Sequence, residues 1–151
     1  MFSKALLLGG SGKVNTTGKF ALTNGYKFKA TDPDFPGWGE YNYGYISNDI
    51  GDVTPVPKLR GHTLCSFYYN DNMDMGGRGL VEFGHSSVSD PEWPDEFPED
   101  LYSLRLINHT TGTEYSAFYI SHDGAYAKYV SDVPVDVFSP SGSDVVWEIA
   151  V

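Results

Sequence analysis

The chain has 151 residues, 40% hydrophobic and 15% aromatic, which suits one packed domain and excludes both a disordered tail and a multidomain machine. Its net charge is −10, and an acidic chain repels phosphate backbones, so nucleic acid is not expected as a ligand. No apolar run approaches the ~18 residues of a membrane span, and the single Cys65 excludes an intramolecular disulfide framework and a cysteine-based zinc site.

Residues 1–31 hold Lys4, Lys13, Lys19, Lys27 and Lys29 and no acid, so this segment carries +5. The remainder holds all 20 acids against five bases, Lys58, Arg60, Arg78, Arg105 and Lys128, and sums to −15. The five lysines are therefore candidate docking residues for an acidic surface, on this chain or a neighbour. They also suit an edge strand, where charge discourages aggregation. The run Ala5–Leu8 is too short for the h-region of a signal peptide, ~7 residues or more, so no export signal is expected. Gly9–Lys13 fails as a phosphate loop, because Leu7 stands at the first glycine position and Val14 at the hydroxyl position.

Helical periodicity is almost absent, and strand signals recur. Lys19–Thr23 and Tyr26–Ala30 flank Asn24-Gly25, a strong hairpin signal, which predicts a basic N-terminal hairpin. Further strands are predicted over Ala5–Leu8, Tyr41–Ser47, His62–Asn70, Gly79–Gly84, Tyr102–Asn108, Glu114–Ser121, Ala125–Val130 and Val145–Ala150. Asn108–Thr113 reads as a hairpin turn, and His122-Asp123-Gly124 as another in which Gly124 supplies positive φ. Many short strands with regular turns predict an all-β antiparallel sandwich, jelly-roll or Ig-like, over 32–151. The 1–31 segment is expected to be continuous with it.

Two stretches read as long loops. Asp32–Glu40 contains Trp38. Ser86–Asp100 contains three prolines, Trp93, Phe97 and six acids with no base, and like-charge repulsion predicts a solvated, extended loop. Asn70–Gly76 resembles a calcium loop only in part: Gly76 is one place late, Val81 stands where a bidentate Glu belongs, and a polar hairpin loop is the better reading. The histidines His62, His85, His109 and His122 lack metal-ligand spacing, so no metal or other cofactor is expected. His62 and Cys65 are three apart in a strand and point to opposite faces, so Cys65 reads as a core residue. No nucleophile elbow or Ser/His/Asp arrangement stands out, and catalysis is not expected.

The aromatic residues carry the stronger signal. Tyr41, Tyr43 and Tyr45 alternate along one strand face, with Trp38 just before them. With Trp93 and Phe97 they are the candidate binding residues, able to stack on a sugar or anchor a protein interface. The tyrosines also suit a core with their hydroxyls at its rim.

The stretch Gly44-Tyr45-Ile46-Ser47-Asn48-Asp49-Ile50-Gly51-Asp52-Val53-Thr54-Pro55, then Leu59-Arg60-Gly61-His62-Thr63-Leu64, and the ending Val137–Glu148 with Val146-Trp147, form a pattern of turn residues. Over about 44–151 it resembles small β-rich modules in virion proteins of tailed bacteriophages. The acidic insertion at 86–100 and the basic first segment depart from that pattern. The resemblance implies a non-enzymatic tail, tail-tip or fibre component located in the virion. Its partners would be other virion proteins or further copies of the chain, with host glycan as a further ligand. A carbohydrate-binding module using Trp38, Tyr41, Tyr43 and Tyr45, and a capsid decoration protein, are the alternatives.

Overall fold

The computed structural model of the chain describes residues 14–23, 27–28, 42–43, 57–70, 79–84, 90–134, 137 and 144–151. Lys4, Lys13, Lys29, Trp38, Tyr41, Tyr45, the predicted strand Ala5–Leu8 and the loop Asp71–Gly76 lie outside them. The strands are β1 (Phe20–Thr23), β2 (Lys27–Phe28), β3 (Asn42–Tyr43), β4 (Lys58–Leu59) and β5 (His62–Asn70). They continue with β6 (Gly79–Gly84), β7 (Ser103–Asn108), β8 (Thr113–His122), β9 (Tyr126–Ser131) and β10 (Asp144–Ala150). One turn of 3₁₀ helix, Glu99–Leu101, precedes β7.

The all-β antiparallel class is as the sequence predicts. The described strands join in one sheet, ordered β1-β10-β7-β8-β9-β6-β5-β3-β2, with β4 added beside β5. The sheet curls into a half-barrel, and the described pairings do not divide it into the two sheets of a sandwich. The predicted N-terminal hairpin is corrected. β1 pairs with β10, Phe20 opposite Trp147 and Leu22 opposite Val145, while β2 pairs with β3 at the far end of the order. The reason is apolar burial: Phe20 and Leu22 are inside the core beside Trp147, a gain that outweighs a local turn preference.

Strand alternation builds that core. β7 buries Leu104 and Leu106 and exposes Ser103 and Arg105, and β9 buries Ala127 and Tyr129. Two bulges adjust the alternation. In β5, Leu64 pairs with Phe83 and Ser66 with Glu82, so Cys65 is the extra residue. Leu64 and Phe67 can therefore both enter the core despite their odd spacing. In β8, Ser121 pairs with Lys128 and Tyr119 with Tyr129, so Ile120 is the extra residue.

Cys65 is buried outside the main core cluster, with its thiol directed at the Glu82 carbonyl at 3.4 Å. Burial first, and then the Glu82 charge, push its pKa up to about 12. The thiolate is the reactive form, so a disulfide reagent at pH 8 is expected to leave the native chain unlabelled and to label one thiol after denaturation. Rapid labelling of the native chain would contradict this burial.

The β7–β8 hairpin forms as predicted. The Asn108 side chain accepts N–H bonds from Thr110 and Thr111, and Gly112 closes the turn at φ +80°. Asn108 is itself buried. The β8–β9 turn forms by a different device from the one predicted. Gly124 is not among the described glycines with positive φ, and instead Asp123 Oδ1 accepts from the N–H groups of Ala125 and Tyr126.

Candidate functional site

The acidic segment 90–102 is the least expected part of the molecule. Its sequence predicts a solvated loop presenting Trp93 and Phe97 outward, and the second point is corrected. Trp93 is 5% exposed and Phe97 3%, and both belong to the core cluster. The loop lies across the inner side of the sheet and fills it.

Three anchors hold it there. Asp90 comes first, with a fully buried carboxylate that accepts from Thr63 N and Thr63 Oγ1, each at 3.0 Å. Lys58 Nζ stands 3.5 Å from the same group but is 42% exposed, so solvent screens its contribution. Trp93 is next. Its backbone N–H donates to Gly124 O, its indole N–H donates to Phe83 O at 3.1 Å, and its ring stacks on His62 with centroids 3.5 Å apart. Phe97 is the third, stacked on Tyr119 at 4.3 Å and packed against His122 and Tyr129.

The bulge at Ile120 completes this pocket by placing Tyr119 and His122 together. His122 Nε2 lies 2.9 Å from Pro94 O and 3.0 Å from Asp95 O, and a carbonyl only accepts, so Nε2 carries the proton. The Tyr119 hydroxyl then donates to Nδ1 at 2.6 Å. Tyr129, at the bottom, donates its hydroxyl to Leu101 O. Burial raises its pKa to well above the ordinary tyrosine value. His122 is thus a fastener between sheet and loop. The solvated part of the prediction holds for Glu92, Asp95, Glu96, Glu99 and Asp100, which stay exposed around the buried aromatics.

A second cluster fixes the start of the described chain. Glu148 on β10 accepts from the Thr16 hydroxyl and pairs with His109 Nε2 at 2.8 Å. The Thr17 N–H donates to Ile149 O, and Ile149 N–H donates to Thr17 Oγ1. Arg60 bridges Asn15 Oδ1 and the carboxylate of Asp100, tying this segment to the acidic loop. The Thr16 bond foremost, and then His109, hold the Glu148 carboxyl below its ordinary value of 4.5. A depressed folded value stabilises the fold above the ordinary carboxylate range, and the contribution is lost as pH falls through the folded value. Acid unfolding is therefore expected to separate wild type from Glu148→Gln above the ordinary carboxylate range and to bring them together as pH falls through the depressed Glu148 value. Parallel pH profiles of the two chains would contradict this assignment.

The other predicted site residues divide as follows. Tyr43 lies in β3 opposite Lys27 and Tyr69, which fixes its backbone register but describes no stacking face. Lys19 is exposed next to β1, and Lys27 begins β2, so these two docking candidates flank the two terminal strands of the sheet order. The structure does not bring Trp93 or Phe97 to any surface platform.

A hollow of about 210 Å³ opens at the β8–β9 turn, lined by Glu82, Ser121, His122, Asp123, Tyr126 and Lys128. No sequence pattern marks it, because it depends on the register of three strands. Glu82 and Lys128 meet across β6 and β9 with 3.7 Å between charged atoms. Among the described residues, no group of three or more His, Cys, Asp or Glu side chains is placed to hold a metal ion. No family model, curated protein or solved structure matches the chain.

Proposed function

We propose that this chain is a non-enzymatic structural module that works by subunit assembly, as a tail, tail-tip or fibre component of a tailed-phage virion. One observation carries the assembly reading. The two outermost strands of the described sheet, β1 and β2, both come from the +5 segment, while the rest of the chain carries −15. An edge strand presents unpaired N–H and C=O groups to a partner. Lysines beside that edge oppose pairing with a like edge and favour an acidic surface, such as the body of a second copy.

Three of the acids support a structural role as well. Asp90 serves Thr63, Asp100 serves Arg60, and Glu148 serves Thr16 and His109. Each is used to fasten one segment to another. The virion assignment rests on the turn-residue pattern over 44–151, and it places the protein's partners among other virion proteins.

Native mass measurement on wild type and a Lys19→Gln, Lys27→Gln variant tests the reading. The wild type is expected to self-associate at low salt, and the variant to do so about tenfold more weakly with unchanged thermal unfolding. Equal association of the two chains would remove the basic edges from the account. Mass spectrometry of purified particles tests the location, with the chain expected at a fixed copy number.

A further inference from the structure

We propose that the hollow at the β8–β9 turn binds one neutral or amino-substituted sugar ring. Its volume of about 210 Å³ lies below the ~300–1,000 Å³ typical of sites for drug-sized ligands, so it suits one ring and not an extended oligosaccharide. The lining supplies what a polyol needs. The carboxylates of Glu82 and Asp123 accept from hydroxyls, Lys128 and Ser121 donate, and Tyr126 offers an aromatic surface to ring C–H groups.

The lining is also held in place before any ligand arrives. The ring of Tyr126 occupies the position a side chain at Gly84 would take, since a Cβ there would lie 2.2 Å from Tyr126 Cδ1. Asp123 is fixed by the N–H groups of Ala125 and Tyr126, and His122 by Tyr119 and by two loop carbonyls, while the Lys128 ammonium stands 3.7 Å from Glu82 at the half-exposed rim. Fixed side chains lower the ordering cost of binding. Two carboxylates against one ammonium leave the site negative, which selects against acidic sugars and favours a neutral or amine-bearing ring. The site is separate from the strand edges and does not rest on the assembly reading.

Nuclear magnetic resonance titration of the full chain with glucose, glucosamine and glucuronate tests this. Glucose or glucosamine is expected to give saturable shifts at the amides of Ser121, Asp123, Tyr126 and Lys128, with a dissociation constant on the order of 1 mM. Glucuronate is expected to give none. Glu82→Gln and Lys128→Ala are each expected to weaken binding about tenfold without shifts elsewhere. Tyr126→Phe keeps the ring over Gly84 and is expected to keep binding. The proposal is overturned by no saturable shift with glucose or glucosamine, by glucuronate binding as well as they do, or by shifts centred away from the hollow. A chain that assembles yet binds neither sugar would overturn this site alone.

Discussion

Trp93→Ala is expected to cost the fold about 3–5 kcal/mol, the range for removing a buried aromatic. The substitution empties the space beneath the acidic loop, removes the stack on His62 and leaves the Phe83 carbonyl without its indole donor. Domains of this size have only about 5–15 kcal/mol of total stability, so this loss is a large share of the total. Phe97→Ala is expected to fall in the same range, because its ring touches Tyr119, His122, Tyr129 and Trp93 at once. Phe97→Leu refills most of the volume and is expected to recover more than half of the loss. Urea denaturation followed by circular dichroism measures all three. Losses under about 1 kcal/mol, the usual result at a surface site, would return these aromatics to the interface role their sequence context suggested.

Asp90→Ala is the second large effect, expected at about 3 kcal/mol. The carboxylate is the partner of both the Thr63 N–H and the Thr63 hydroxyl, and Thr63 is itself buried. Removing the acceptor leaves two donors in a site closed to water, which costs more than the bonds were worth in net terms. Asp90→Asn keeps one acceptor oxygen but turns an amide N–H₂ toward a donor, so it is expected to recover only part of the loss. Lys58→Ala removes the exposed ion-pair partner and is expected to cost less than about 1 kcal/mol. That ranking, Asp90→Ala above Asp90→Asn above Lys58→Ala, separates buried hydrogen bonding from charge pairing as the force that seats the loop. An equal cost for Lys58→Ala and Asp90→Ala would contradict it.

Much of the sheet was legible in the sequence, and the failures share one cause. β5 and β6 have the predicted bounds, and β7 to β10 differ from prediction by a residue at one or both ends. Alternation is clean in β7 and β9, where one face is buried. β4 was missed because two residues carry no period, and only its pairing with β5 defines it. The Asn24-Gly25 signal is local, whereas β1 forms against β10, more than a hundred residues away, through Phe20 and Trp147. The acidic loop misled for a similar reason. Its charges are periodic in nothing, and five of its six acids do face solvent. The aromatic residues between them find their burial on a distant sheet, and no local pattern records that. The hollow was invisible because Glu82, Asp123 and Lys128 are unremarkable singly and meet only through the registers of β6, β8 and β9.

Sedimentation velocity of the unmodified chain at low and at high salt tests the assembly account most directly. Exposed charges act over about 10 Å at 0.1 M ionic strength and about 3 Å at 1 M. If the +5 edges dock on the −15 body of a neighbour, the chain sediments as an assembly at low salt and as a monomer at 1 M salt. A monomer that sediments identically at both would contradict docking by the basic edges.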